Sequence, residues 1–109
     1  MAIPKNIKIL LPWSLLDQPG MESRAEQLSA ELKAEVSLGH PLYGLDAKAV
    51  ASRIDRDDVL FELEGAPNYL AVVHLTWHRE EDPRWPSVQF FKDWEHWANE
   101  DMVPAHNDR

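Results

Sequence analysis

Histidines are the residues of this chain best suited to metal binding or acid–base chemistry near neutral pH. The chain has five, and His74 and His78 form the closest pair. If one strand runs through both, four residues at about 3.3 Å each separate them by roughly 13 Å, too far for one metal ion. His40 comes from a loop, and no spacing links it to either of them. We therefore expect isolated surface or hydrogen-bonded histidines and predict no metal site.

Two acidic runs and the serines are the other candidates for catalysis. Asp55, Asp57 and Asp58 lie within four positions, and Glu80 to Asp82 are consecutive. Neither run has the spacing of a calcium loop, so we interpret both as solvated turns. No serine lies in a Gly-x-Ser-x-Gly elbow, and no glycine-rich loop is present to cradle a phosphate. The sequence thus predicts no catalytic residue and no cofactor.

A ligand pocket near one end of the predicted sheet is a second way for the chain to carry a site. The residues that would line it are Tyr43, Arg53, His74 and Thr76. His74 and Thr76 would share one strand face as a polar pair, although a β-branched threonine also suits any strand. A small enzyme or a ligand-binding protein built on these four residues is therefore one hypothesis.

Tryptophan is the most unusual feature of the composition, with residues at positions 13, 77, 85, 94 and 97. Its large ring fits both compact cores and interface hot spots. Trp77 and Trp94 have the periodicity of core residues. We predict that Trp85, in a loop, and Trp97, toward the edge of its helix stripe, are exposed and bind a partner. Burial in the core is the alternative for both.

The composition is that of one folded domain, with 109 residues of which 44% are hydrophobic and 28% are charged. A net charge of −8 disfavours nucleic acid and anionic membrane surfaces as partners and is compatible with a basic protein. The absence of cysteine excludes disulfides and thiol chemistry. The apolar run Ile9–Leu11 stops at Pro12 and is too short for a signal sequence or a membrane span, so we expect a cytoplasmic protein.

Two helices are predicted from the apolar spacing. The first follows Met21, where apolar residues recur every three to four positions as far as Val36, with Ser23 and Glu26 spaced as a capping box. The second is expected to start after Ser87 as its N-cap and to run for about three to four turns. Its wide apolar sector comprises Phe90, Phe91, Trp94, Trp97, Ala98 and Met102.

The strands are predicted between these helices. Residues 45–54 fit either a strand or a helix, and we favour the strand because a polar turn, Asp55–Asp58, leads directly into the apolar run Val59–Leu63. A second turn, Gly65–Asn68, leads into Tyr69–Trp77. Keeping the apolar side chains on one face pairs these last two strands as Leu63 with Ala71, Phe61 with Val73 and Val59 with Leu75. The same argument pairs Ser52 with Phe61 and adds Val50 and Ile54 to that layer.

The predicted architecture is α+β: a three-stranded antiparallel meander with both helices on one face. An N-terminal edge strand around Ile7–Leu11 would extend it. Residues 1–109 form a single domain, with 1–20 as an N-terminal arm and 104–109 as a flexible tail. The opposite sheet face, which carries Leu70 and Val72, is too apolar to face water and is expected to pair with the N-terminal arm or a second subunit.

Four short strings resemble the pattern of a family of short, uncharacterised bacterial proteins. They are His40-Pro41-Leu42-Tyr43-Gly44, Asp57-Asp58-Val59-Leu60-Phe61, Val73-His74-Leu75-Thr76-Trp77 and Trp85-Pro86-Ser87. The resemblance covers roughly residues 38–102. It implies a bacterial protein and brings no activity, cofactor or site residue with it.

From charge and tryptophan content, the expected function is that of a non-catalytic, acidic interaction protein. A regulator or an immunity-type partner that neutralises a basic protein fits this description. The partner is a protein or a second copy of the chain, in a homodimer, and neither nucleic acid nor membrane. The alternative is the small enzyme or ligand-binding protein with the pocket around Tyr43, Arg53, His74 and Thr76.

Overall fold

The fold is a five-stranded antiparallel sheet with helices, as the α+β prediction required, but with two strands more than predicted. The computed structural model describes Pro4 and residues 7–16, 18–64 and 69–108. The strands lie in chain order across the sheet. Their bounds are Trp13–Leu15 (β1), Asp46–Arg53 (β2), Asp58–Glu64 (β3), Leu70–His74 (β4) and Ser87–Phe91 (β5).

Helix α1, Glu22–Glu35, lies between β1 and β2 and confirms the first predicted helix. Its buried residues include Leu28 and Leu32, which belong to the predicted apolar stripe. The predicted capping box is not formed, because Met21 occupies the N-cap position and no side chain caps the helix there. The β1 edge strand begins two residues after the stretch Ile7–Leu11 that was expected to form it.

Residues 46–53 form strand β2, and a bulge in it explains why Val50 is not in its predicted layer. The register runs from Ala49 opposite Phe61 to Ala51 opposite Leu60, so Val50 is the extra residue. The bulge moves Val50 into the layer that contains Ala51 and Leu60, and Ile54 is exposed instead of buried. Ser52 pairs with Val59, two residues away from the predicted partner Phe61.

The β3–β4 hairpin forms with a register two residues away from the predicted one. Phe61 lies opposite Ala71, and Val59 lies opposite Val73. A slip of two residues leaves every side chain on its predicted face, so the apolar layer was nevertheless assigned correctly. The predicted turn Gly65–Asn68 falls outside the described residues.

The segment predicted as the second helix divides into a strand and a helical segment. Ser87–Phe91 pairs with β4 as β5, so Ser87 is not an N-cap. The N-cap is Asp93, whose side chain accepts a hydrogen bond from His96 N at 2.7 Å. The C-terminal helical segment, residues 94–107, consists of α2 (Trp94–Trp97), a π-helical turn (Ala98–Met102) and α3 (Val103–Asn107).

The two helical elements cover opposite faces of the sheet, whereas both were predicted on one face. α1 packs on the layer formed by Val59, Phe61, Ala71 and Val73. The C-terminal helical segment packs on the layer that contains Leu70 and Val72, the face predicted to need a cover. Residues Ile7, Ile9 and Leu10 of the N-terminal arm pack against this second layer as well, which was one of the two covers expected.

Residues 104–107, which were expected to belong to a flexible tail, form part of α3. α3 includes Pro104, and the His106 ring hydrogen-bonds to Leu11 O at 2.7 Å. Within the part of the chain that the structure describes, no helix has the length and apolar character needed to cross a membrane.

Candidate functional site

Two loops meet at the end of the sheet where β4 ends and β5 begins. α1 also ends there, and residues 37–43 follow it, while residues 76–86 connect β4 to β5. The imidazole of His40 hydrogen-bonds to Pro86 O at 2.8 Å, and Ser37 Oγ donates to Glu81 O at 3.5 Å. A Cβ placed on Gly39 would lie 3.4 Å from Pro83. We call residues 37–43 and 76–86 the two-loop surface.

Glu35, the last residue of α1, fixes one of these loops to the helix. Its side chain is fully buried and accepts three hydrogen bonds. Thr76 N and Trp77 N donate at 2.8 Å each, and Thr76 Oγ1 donates at 3.0 Å. Burial of a carboxylate is costly unless hydrogen bonds replace its water, and these three bonds replace it. The start of residues 76–86 is therefore anchored to the end of α1.

Trp77 has a left-handed backbone conformation that bulky residues rarely adopt. Its φ is +60°, and it is the only described residue other than glycine with a positive φ. Such a conformation costs roughly 1–2 kcal/mol for an L-residue. The hydrogen bond from Trp77 N to Glu35 Oε2 stabilises it, and the indole is turned outward with 40% of its surface exposed.

Glu31 lies one helical turn before Glu35 on α1. The hydrogen bond between the two carboxyl groups raises the pKa of Glu31 from 4.5 to about 7, with burial and the charge of Glu35 adding to the rise. Near pH 7 the Glu31 carboxyl is therefore partly protonated, which reduces the negative charge next to the buried Glu35.

His40 anchors the second loop from within the protein, and its tautomer follows from its contacts. It is buried, and Leu42 N donates to its Nδ1 at 3.0 Å. Nδ1 must therefore lack a proton, so Nε2 carries it and donates to Pro86 O. Hydrogen-bonded histidines were expected from the sequence, and His40 is one of them. Its role is structural.

The anchored loops expose large apolar side chains. Leu38 is 80% exposed, Tyr43 53% and Trp85 48%, and Trp77 joins them. The exposure of Trp85 was predicted, whereas Trp77 was expected in the core. Exposed large apolar side chains elsewhere in the described residues are Leu11 and Ile54. Most exposed apolar side chains of large size therefore lie on the two-loop surface.

Trp97, the other tryptophan predicted to bind a partner, is fully buried. Its ring packs edge-to-face on Trp13 at 5.3 Å and on Trp94 at 5.8 Å between ring centroids. Its position at the edge of the predicted helix stripe was misleading, because the N-terminal arm and β1 cover that side of the helix. Trp97 is a core residue and leaves the list of partner-binding candidates.

The four residues of the predicted pocket do not line a common cavity. Thr76 binds Glu35, and His74 Nδ1 lies 2.7 Å from Asp58 Oδ1. Of the five cavities described, one is lined by Arg53 and none by Tyr43, His74 or Thr76. Arg53 and His74 do lie at the same end of the sheet, because β2 ends and β3 begins beside the end of β4.

The cavity beside Arg53 has a volume of about 620 Å³ and mixed charge. Arg53 Nε and Nη2 donate to the two oxygens of Asp55 at 2.9 Å and 2.8 Å. Asp101 also lines it, and burial raises the pKa of its carboxyl, with the charge of Asp58 adding to the rise. Among the described residues, no group of three or more histidine or acidic side chains is arranged to hold a metal ion.

Glu35 is the key residue that the sequence interpretation missed. It is a charged residue, yet it lies three positions after Leu32 and seven after Leu28. That spacing puts it on the buried face of the helix. A carboxylate on an apolar helix face indicates a specific buried partner, and this signal was present in the sequence.

Comparisons of the chain with protein-family models, with curated proteins and with solved structures found no match. The resemblance to short bacterial proteins therefore stays a prediction.

Proposed function

We propose that this chain is a non-catalytic interaction protein that binds a basic protein through the two-loop surface. The observation that carries the proposal is the exposure of Leu38, Tyr43, Trp77 and Trp85 on two loops that are anchored to the core. Tryptophan and tyrosine are the residues most enriched at interface hot spots. A regulator or an immunity-type protein needs such an exposed surface to bind its partner protein.

Anchoring favours binding because an ordered surface loses little entropy when a partner docks. Glu35 holds Thr76 and Trp77, and His40 holds Pro86, the neighbour of Trp85. A carboxylate and an imidazole are buried for this purpose, although apolar side chains would stabilise the core at lower cost. Selection for a fixed loop conformation explains their presence.

Charge supports a basic partner. The chain carries a net charge of −8, which accelerates encounter with a positively charged protein and opposes encounter with nucleic acid. Within residues 76–86, Arg84 pairs with Asp82 at 2.6 Å. The other charged residues of this loop are Glu80, Glu81 and Arg79, so the loop is negatively charged overall.

Affinity purification from the cells that produce the protein tests this proposal. Tagged wild type, Trp85→Ala, His74→Ala and a surface control on α1, Gln27→Ala, are compared by quantitative mass spectrometry. A basic protein should be enriched with wild type, His74→Ala and Gln27→Ala, and be depleted about tenfold or more with Trp85→Ala. Equal enrichment with Trp85→Ala, or an absence of any basic protein, would reject the two-loop surface as the binding site.

The ligand-binding function is the second candidate because of the pair His74 and Asp58. The carboxylate orients the ring through Nδ1, and about half of the His74 side chain is exposed, which suits a proton-transferring or ligand-binding imidazole. Native mass spectra of the purified protein test this candidate. A bound small molecule that is lost with His74→Ala supports it, and spectra without added mass favour the interaction protein.

A further inference from the structure

The strand β5 forms an edge of the sheet that the rest of the described chain leaves uncovered. It pairs with β4 on one side and is the last strand in the sheet order. Within the described residues, no backbone hydrogen bond of a loop or turn reaches Ser87–Phe91 from the other side. The outward N–H and C=O groups of such an edge are a template for another strand.

The opposite edge of the sheet is protected in ways that β5 is not. β1 has only three residues and so offers a short template. β5 has five residues, Ser87, Val88, Gln89, Phe90 and Phe91, with no proline, no charge and no bulge in its pairing with β4. Edge strands usually carry a lysine, a proline or a bulge that prevents pairing, and β5 has none of these devices.

A second copy of β5 fits this edge. In an antiparallel pair about a two-fold axis at Gln89, Val88 lies opposite Phe90 of the second copy, and Ser87 lies opposite its Phe91. Directly opposed residues share a face, and this register satisfies the alternation of β5. Val88 and Phe90 are only half-buried on the α1 face, so each would bury its remaining surface against the other copy's residue.

The absence of charge also favours β5 as the contact between two identical chains. A chain with a net charge of −8 repels itself at most surfaces. β5 has no charged residue, so two copies meet there without like charges in opposition. We propose that the protein self-associates through β5, as a dimer with one continuous ten-stranded sheet centred on Gln89.

The proposed dimer would present two binding surfaces. The two-loop surface adjoins the start of β5, because Pro86 precedes Ser87. Antiparallel pairing places the two copies of this surface at opposite ends of the composite sheet. The dimer inference does not depend on the proposed function, since it rests on β5 alone.

Sedimentation equilibrium with charge-swap variants at Gln89 tests the proposal. Gln89 is exposed, so its replacement leaves the fold of each chain intact, which far-UV circular dichroism checks. Gln89→Lys and Gln89→Glu each place like charges in opposition at the axis and should weaken the dimer roughly tenfold or more. An equimolar mixture of the two variants should restore dimers, because opposite charges then face each other.

The matched control is Gln27→Lys, the same change on the exposed side of α1. It should leave the dimer of the wild type unchanged. A wild type that remains monomeric up to concentrations on the order of 100 µM overturns the proposal. The proposal is also overturned if Gln89→Lys and Gln89→Glu, each measured separately, still form dimers. It is overturned as well if the mixture of the two variants does not restore dimers.

Discussion

The carboxylate of Glu35 accepts a hydrogen bond from the backbone N–H of Trp77 at 2.8 Å, across 42 positions of the chain. This contact joins the end of α1 to the loop that follows β4. It holds Trp77 in a left-handed conformation and keeps the indole outward. The buried acid and the exposed aromatic residue therefore form one structural unit of the two-loop surface.

Removal of the Glu35 acceptor should destabilise the protein. Glu35→Leu leaves the N–H groups of Thr76 and Trp77 without their partners, so we expect a loss of about 3 kcal/mol in the free energy of unfolding. Glu35→Gln retains one acceptor oxygen and should lose about half as much. Urea unfolding measures both values, with Glu26→Gln on the exposed face of α1 as the control. Unchanged stability of Glu35→Leu would show that the three hydrogen bonds do not hold the loop.

Glu31 should make the stability of the protein depend on pH. Because its pKa rises from 4.5 in the unfolded chain to about 7 in the folded one, folding favours the protonated form. This stabilisation is fully present below about pH 4.5 and is lost as the pH rises through about 7. Glu31→Gln stays neutral, so its stability relative to wild type should rise by about 1–2 kcal/mol between pH 4.5 and pH 8, an amount reduced by partial exposure.

Urea unfolding of wild type and Glu31→Gln at both pH values measures this difference, in which the contributions of the other acids cancel. Glu26→Gln is the control and should show the same stability difference from wild type at both pH values. A pH-independent difference between wild type and Glu31→Gln would contradict the raised pKa of Glu31.

The backbone conformation of Trp77 should reverse the usual order of glycine and alanine. At φ +60° glycine is unstrained and alanine is not, so Trp77→Gly should be more stable than Trp77→Ala by about 1 kcal/mol. Tyr43 is an exposed loop residue without a positive φ, and there the alanine variant should be the more stable one. Thermal or urea unfolding of the four variants decides the order. The same order at both positions would argue against strain at Trp77.

The tautomer of His40 can be observed directly. Correlated ¹⁵N–¹H spectra of the imidazole should show a proton on Nε2 and none on Nδ1, because Nδ1 accepts the hydrogen bond from Leu42 N. His40→Ala should cost about 2–3 kcal/mol, since it leaves Pro86 O and Leu42 N without this partner. A protonated Nδ1, or a variant as stable as wild type, would refute the assigned role.

β2 also fits a helix and was predicted as a strand from the polar turn that leads into β3, whereas the sequence predicted α1, β3 and β4 because each has a single clear period. The residues from Val88 to Trp97 do not, since aromatic and β-branched residues suit a strand and also form a wide helix stripe. Pairing with β4 makes the residues up to Phe91 a strand. This tertiary contact has no signature in the local sequence. The helix then follows on the opposite sheet face, which accounts for the error in the predicted layers.

The candidate site was predicted in part. Trp85 is exposed in its loop as expected, because the segment around Pro86 offers no regular period that would bury it. The prediction that Trp97 is exposed was wrong, since its burial depends on Trp13 from the distant N-terminal arm. The roles of Glu35 and Trp77 depend on a contact between α1 and a remote loop, which periodicity alone does not reveal.

Site-specific photo-crosslinking in living cells tests the two-loop surface most directly. A benzophenone-bearing phenylalanine analogue replaces Arg79 of the two-loop surface in one strain and Gln27 on the exposed side of α1 in another. The proposed function predicts a covalent adduct with a basic protein from position 79 and no such adduct from position 27. The absence of an adduct at position 79, or the same adducts at both positions, would contradict it.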